Sequence, residues 1–265
     1  IAGEGTGMER DHDYSAACHF EDLKTPQEVG KSAGERAVKR LNARKIASQA
    51  VTVIYDRRGA SSLLGHLSSA INGAAIARGT SFLKSKMGQQ IFSKGISVID
   101  DPLRLRGLAS RPFDGEGLSS SRRELIADGI LTGWVLDLRS ARQLGLPPTG
   151  NGSRGLSSPP GPSTSNLHLK PGQLSPEEMI GSLKQGLYIT ELIGNSVNLV
   201  TGDYSRGASG FWIENGELAF PVSEITIAGN LGDMFMTLEP ANDLIFKSST
   251  NAPACRVEGL TIAGT

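Results

Sequence analysis

The sequence lacks an excess of either charge. Lys plus Arg and Asp plus Glu number 27 each in 265 residues, for a formal net charge of zero. That balance leaves no electrostatic footprint for a nucleic-acid backbone, and basic residues gather no further than pairs such as Arg122–Arg123, so direct DNA binding finds no support. Cysteine is equally scarce. Cys18 and Cys255 lie far apart without metal-ligand spacing, which predicts free thiols in a reducing compartment rather than a secreted disulfide framework. No apolar run approaches the length of a membrane span and no signal-peptide pattern opens the chain, so the expectation is a cytoplasmic protein without a membrane anchor. The length suits one large domain, or a main domain with a smaller piece, around a sizeable core. Since "IAGEGTGMERDHDYS" reads as a strand and loop already under way, the chain is expected to be the later part of something longer.

What is present reads as helices first and sheet later. Thr25 as N-cap, Pro26 at the first helical position and Glu28 closing a capping box start a helix whose stripe is Val29, Ala33, Ala37 and Leu41, ending near Asn42. "ASQAVTVIYD" predicts a buried strand ended by Asp56. Leu63, Leu64, Leu67, Ile71, Ala74 and Ala75 recur at helical spacing and predict one helix over about 61–77, capped by Ser61 or Ser62, with His66 off the apolar stripe. From about residue 96 short strands dominate. Asp128–Gly129 and Asn215–Gly216, each between apolar runs, are two-residue hairpin signals because both turn positions need positive φ. Residues 145–166, rich in Gly, Pro and Ser, read as a long loop or flexible cover, and Ser175–Pro176 opens a short helix. Further strands are expected in 186–194, 196–202, 211–215, 216–221, 223–229 and 257–264, with a helix around "LGDMFMTLEP". The class is α+β: a helical and strand segment over 1–47, then a large, mostly antiparallel β domain with a few packed helices over 48–265.

Several residues are candidates on their chemistry. "SSLLGHLSSA" places His66 on an amphipathic helix, where a metallopeptidase would keep ligands, yet the acidic and second histidine partners are missing, so the ordinary expectation is a solvent-edge or interface histidine, and the functional alternative a residue that faces a partner's active cavity and binds substrate carbonyls. Within "TGDYSRGASG", Asp203, Tyr204, Ser205 and Arg206 are polar groups held between glycines, equally suited to contacting a substrate or to a satisfied inter-strand turn. Ser205 lacks a neighbouring histidine or a strand–Ser–helix elbow and is no protease nucleophile. His12, Cys18 and His19 match no metal spacing and belong to a surface loop. His168 alternates with Leu167 and Leu169, which predicts the exposed face of a strand, and Asp114 with Glu116 predicts a solvated turn. "GEGTG" at 3–7 has no demonstrable strand before it or helix after it, so a phosphate loop is not expected.

The runs 81–90 ("SFLKSKMGQQ"), 111–117 ("RPFDGEG"), 138–155 and 200–235, within a match that runs in order from about Gly3 to the C-terminus, closely resemble the TldD/PmbA family, and more narrowly its PmbA (TldE) branch, historically described as a modulator of DNA gyrase. The resemblance implies a cytoplasmic metallopeptidase system of two related subunits acting on unfolded or peptide substrates, from which this chain lacks a large N-terminal part. The TldD-type subunit carries an HExxxH helix and a distant cysteine that hold zinc. Matched through the preceding Leu63–Leu64, the first ligand histidine corresponds to Gly65, the catalytic glutamate to His66 and the second ligand histidine to Ala70, while Cys255 lies outside the family's glycine-rich cysteine context. A hydrolytic zinc site needs about three protein ligands and a base, so the implied chain holds no metal, and zinc is expected in a TldD-type partner. The implied partners are that subunit in a heterodimer, or a second copy in its absence, and a peptide or unfolded protein. Two rivals stand beside this reading: a metallopeptidase that rebuilt its site from His66, Cys255 and another histidine, and a non-enzymatic homodimeric binding protein acting on gyrase or a toxin–antitoxin pair.

Overall fold

The computed structural model describes residues 1–4 and 7–264. In chain order its elements are β1 (Ala2–Glu4), β2 (Gly7–Glu9), α1 (Pro26–Lys39), β3 (Gln49–Tyr55), α2 (Arg57–Ala70), α3 (Gly73–Ala77), β4 (Val98–Asp100), β5 (Arg123–Ala127), β6 (Ile130–Leu131) and α4 (Leu138–Leu144). They continue through β7 (Gly152–Ser153), β8 (Gly161–Pro162), β9 (Leu167–Leu169), α5 (Pro176–Gly181), β10 (Gln185–Val197), β11 (Asp203–Glu214), β12 (Glu217–Asn230), α6 (Leu231–Thr237), β13 (Glu239–Pro240), β14 (Thr250–Asn251) and β15 (Cys255–Ala263). The α+β reading holds.

The principal sheet runs β12-β11-β10-β3-β15 and closes on itself where β12 pairs with β15, making a barrel. Neighbours are antiparallel except β10 and β3, which run parallel with Tyr188 opposite Ile54. Closure explains the alternation along each strand. Val53, Tyr55, Leu187, Ile189, Tyr204, Ala208, Ile225, Ile227, Cys255 and Val257 all enter one buried cluster, whereas Ile54 and Ile213 face the other way into a smaller cluster with Met179 beneath α5. The β11–β12 hairpin turns on Asn215 and Gly216, both at positive φ, and the β5–β6 hairpin does the same on Asp128 and Gly129. At Gly210 a Cβ would stand 1.9 Å from the Tyr188 carbonyl oxygen, so the close approach of β11 to β10 admits no side chain there.

A second sheet, β14-β9-β4-β5-β6, lies on the far side of α2, which packs against β3 and β10 on one flank and β9 and β14 on the other. This sandwiched position follows from the helix's apolar stripe: Leu63, Leu64, Leu67 and Ala70 are each at most 2% exposed. Burial of a leucine on that scale contributes about 2 kcal/mol relative to an exposed one. The single helix expected over 61–77 is two. Asp56, read from the sequence as the end of a strand, is also the N-cap of α2, accepting a hydrogen bond from Gly59 N at 2.8 Å, and the helix therefore begins at Arg57. At the other end the Asn72 side chain accepts from Ala74 N at 3.0 Å and starts α3 afresh, an amide offering the backbone an alternative to continued helix.

Residues 145–166 form an ordered cover that includes the β7–β8 ribbon. Asp100, buried in β4, accepts from Ser165 N and Ser165 Oγ, both at 2.7 Å, and from Asn151 Nδ2 at 2.8 Å. The cover reaches α2 through Ser68 and Thr164, whose hydroxyls are 3.3 Å apart, and the start of α3 through Asn72 Nδ2 donating to Pro162 O. The segment before β3 is tied to the barrel by charge. Asp11, its carboxylate 2% exposed, meets Arg58 at 2.8 Å, Arg36 at 3.2 Å and Arg40 at 3.7 Å, while Arg40 also meets Glu191 of β10 at 2.5 Å. Burial pushes the Asp11 carboxyl up, but the Arg58 hydrogen bond and charge outweigh it and hold the group below its ordinary range. No helix among the described residues is long and apolar enough to cross a membrane.

Candidate functional site

The middle of α2 and the first half of β11 meet, and this brings together candidates far apart in sequence. Asp203–Gly210 is part of a long strand, not the tight turn that its glycines suggested. Strand alternation then divides the four polar candidates. Tyr204 and Arg206 share the face of buried Ala208, whereas Asp203 and Ser205 are exposed on the other. Asp203 has a structural role: its Oδ2 accepts from Thr201 Oγ1 at 2.6 Å, and its Oδ1 accepts from Asn230 Nδ2.

His66 is half-buried, with its ring against the barrel. Its ring stands edge-on to that of Tyr204, centroids 5.9 Å apart and planes at 76°. Tyr55, from the end of β3, adds a second phenol to the group, close enough to Tyr204 for each to bear on the other's ionisation. Tyr55 was missed by sequence reasoning because a tyrosine at the end of a hydrophobic strand carries no spacing signal that separates it from ordinary core. Cys255 sits directly opposite Tyr55 in the β3–β15 register, fully buried, with Sγ 3.4 Å from Pro253 O. Beside Arg206 the β10–β11 register breaks between Ile193 and Ser196, with Gly194 at φ +72°, so Arg206 faces a β-bulge.

The electrostatics of this cluster are one-sided. Burial, and secondarily the Arg206 charge, push His66 down to about 4, so its imidazole is neutral at pH 7. Burial raises both phenols and the Cys255 thiol, keeping them protonated. Arg206 is the charge that His66 and Tyr204 both feel, and it forms no ion pair with a described residue. The Tyr55 and Tyr204 hydroxyls, His66 Nε2 and Arg206 Nε are all buried and none meets strict hydrogen-bonding geometry, although Tyr204 lies close enough to Tyr55 and to Arg206 for their dipoles and charge to act on its hydroxyl. One such orphan costs about 1–3 kcal/mol, and four in one place mark a polar site inside an otherwise apolar core.

The positions that the resemblance matches to the zinc ligands can be inspected directly. Gly65 is exposed, with open space where a Cβ would stand, and Ala70 is fully buried on the core side, so the two positions matched to ligand histidines face apart on a regular helix and bring no donor. His66 alone is left, next to a guanidinium. Among the described residues no group of three or more His, Cys, Asp or Glu is placed to hold a metal ion.

The other candidates have plain structural settings. His12, Cys18 and His19 are exposed. His168 is 9% exposed, contrary to expectation, because all three residues of β9 are buried and the Phe246 ring lies edge-on to the imidazole at 5.1 Å. Asp114 is buried, not solvated: its carboxylate accepts from Glu116 N, Leu118 N and Gly152 N, each within 2.9 Å, and Glu116 Oε2 accepts from Leu138 N at 2.7 Å. The glycine-rich stretch 3–7 includes Gly5 and Thr6, which lie outside the described residues.

Comparison with known proteins gives the family. The family model described as the PmbA/TldA metallopeptidase C-terminal domain matches residues 48–264. Metalloprotease PmbA of Escherichia coli O157:H7 is 42% identical over 265 residues, covering 100% of this chain and 57% of that protein. The crystal structure of a candidate modulator of DNA gyrase from Bacteroides thetaiotaomicron superposes with a TM-score of 0.90 at 31% identity, covering 100% of this chain and 58% of that one. TldE from Thermococcus kodakarensis superposes with a TM-score of 0.79 at 27% identity, covering 88% of this chain and 55% of that one. The chain thus spans a little more than half the length of these relatives. Matched in sequence from residue 48 onward and in fold along its whole length, the chain belongs to the PmbA/TldA metallopeptidase family.

Proposed function

We propose that the chain is part of the TldE-type subunit of a two-subunit cytoplasmic peptidase, in which a TldD-type partner holds zinc and performs hydrolysis while this subunit walls the chamber and grips an extended peptide. The observation that carries this reading is α2 itself. The helix occupies the position that the resemblance gives to the HExxxH segment, yet Gly65 and Ala70 supply no ligand and diverge in direction, and His66 is held neutral against Tyr204 beside Arg206. Metal-assisted hydrolysis on this helix has no ligand set to build on, so the proteolytic role of the family is assigned to a partner. Similarity to a protein named TldE supports the branch.

The test is co-expression of the full-length subunit with its TldD-type counterpart, followed by size analysis, zinc content and digestion of an unfolded peptide. The expected result is a heteromeric complex that digests the peptide, with neither activity nor zinc in this subunit alone. Purification as a homodimer that ignores the TldD-type protein overturns the reading and favours the non-enzymatic binding protein.

A further inference from the structure

We propose that Arg206, Tyr204, Tyr55 and His66 form a receptor for a single carboxylate carried by a peptide. This rests on the reading of the chain as a peptide-handling subunit and names the group that it would grip.

Four observations converge. The polar atoms of the cluster that meet no partner in strict hydrogen-bonding geometry are two phenol hydroxyls, a guanidinium Nε and an imidazole Nε2; the phenols stand near each other and near the guanidinium, and the set offers three donors and a fourth in the Nε2-protonated tautomer. An ionised carboxylate offers two oxygens with about four lone-pair positions, the complement of that set. The formal charge also fits. Arg206 supplies one positive charge, the other three groups are neutral, and no ion pair with a described residue competes for the guanidinium, so the site balances a monoanion and would leave a phosphate dianion uncompensated. The orphaned atom of Arg206 is Nε, the inner member of the side-on fork that meets a carboxylate with two parallel hydrogen bonds. Finally, burial is graded: His66 and Arg206 are half-buried as residues, whereas Tyr55 and Tyr204 are at most 1% exposed, so the imidazole and guanidinium stand on the outer side of the phenols, with all four donor atoms buried. The bulge opposite Arg206 loosens the β10–β11 ladder at this point.

A carboxylate can come from a peptide C-terminus, from an acidic side chain or from a small free acid, and the experiment separates these sources. A fluorescent unstructured peptide is prepared with a free C-terminal carboxylate, with a C-terminal amide, and as the amide with one internal Glu. Each is titrated into the full-length protein, alone and paired with its TldD-type partner, as wild type, Arg206→Met, Arg206→Lys and Tyr204→Phe. The free-carboxylate peptide should bind wild type at least about ten-fold more tightly than the amide, a preference that Arg206→Met abolishes and Arg206→Lys, lacking the fork, reduces. Tyr204→Phe keeps the ring and removes one hydroxyl, and should weaken only the carboxylate-bearing peptides. Rescue of the amide by internal Glu assigns a side-chain carboxylate, and its absence assigns the terminus. As a readout that needs no variant, acetate or the free-carboxylate peptide should raise the titration midpoint of His66, followed by NMR, because an anion beside the ring stabilises imidazolium. Equal binding of all three peptides by wild type, or an unchanged His66 titration at saturating peptide, overturns the proposal. Retention of the carboxylate preference by a subunit that proves to be a homodimer with no TldD-type partner would sink the proposed function and leave this site standing.

Discussion

His66 offers the sharpest physical test of the site. An ordinary histidine titrates near 6.5, and here burial, aided by Arg206, lowers the folded-state value to about 4. Between those two pH values the unfolded chain takes up a proton at this residue and the folded chain does not. Stability from His66 is therefore complete above about 6.5, falls as pH drops through that window, and is gone below about 4. By linkage the full gap corresponds to about 3 kcal/mol, and because the ring retains some contact with solvent the expected effect is about 1–2 kcal/mol. The assay compares urea midpoints of wild type and His66→Gln at pH 7 and pH 4.5, with the His66 resonance followed over the same range. Wild type should lose about 1–2 kcal/mol more than the variant across that interval, since every other titrating group is common to both. Arg206→Met should raise the His66 midpoint part of the way toward 6.5 but not beyond it, because burial is the larger cause. Parallel pH profiles for the two proteins, or a His66 midpoint at or above 6.5, refute the placement of this ring.

Gly65→Ala should stabilise the protein by about 0.5–1 kcal/mol, seen as a rise in Tm, because the residue lies inside α2 with open space for a Cβ. Ala70→His, at the other matched ligand position, should instead destabilise by about 3 kcal/mol or more, since that site is fully buried and the ring must displace core. Asp11→Ala should cost about 3 kcal/mol in denaturant unfolding and expose the segment before β3 to limited proteolysis, because it leaves Arg36, Arg40 and Arg58 without their shared carboxylate. A thiol reagent should modify Cys18 in the folded protein and reach Cys255, buried with its thiol pushed up, only after unfolding.

Local chemistry made much of this fold legible in the sequence. Thr25–Glu28 and Ser175–Pro176 announce their helices because capping is decided within four residues, and Asp128–Gly129 and Asn215–Gly216 announce hairpins because few residue pairs accept positive φ twice. The failures share a different cause. Asp56 serves both as the end of a strand and the cap of the next helix, and Asn72 interrupts an unbroken apolar stripe, two cases where a single side chain overrides periodicity. His168 was expected on a solvated face, but β9 is buried at all three of its residues, with the Phe246 ring covering the imidazole, so its alternation carries no polar face. The site was half visible. His66 and the 203–206 quartet were singled out for their composition, but it takes the strand alternation of β11, with one face turned into the closed barrel, to separate Tyr204 and Arg206, whose ring and charge bear on His66, from the exposed Asp203 and Ser205. Tyr55 joins them across a sheet whose curvature no local pattern encodes.

Zinc stoichiometry, measured on the full-length subunit purified alone and on its complex with a TldD-type partner, tests the central claim most directly. The account predicts about one zinc per heterodimer, peptide digestion lost on chelation, and no zinc above background in the subunit alone. Stoichiometric zinc on the isolated subunit together with metal-dependent peptide hydrolysis would contradict it, placing the chemistry on the chain whose α2 offers Gly65, His66 and Ala70.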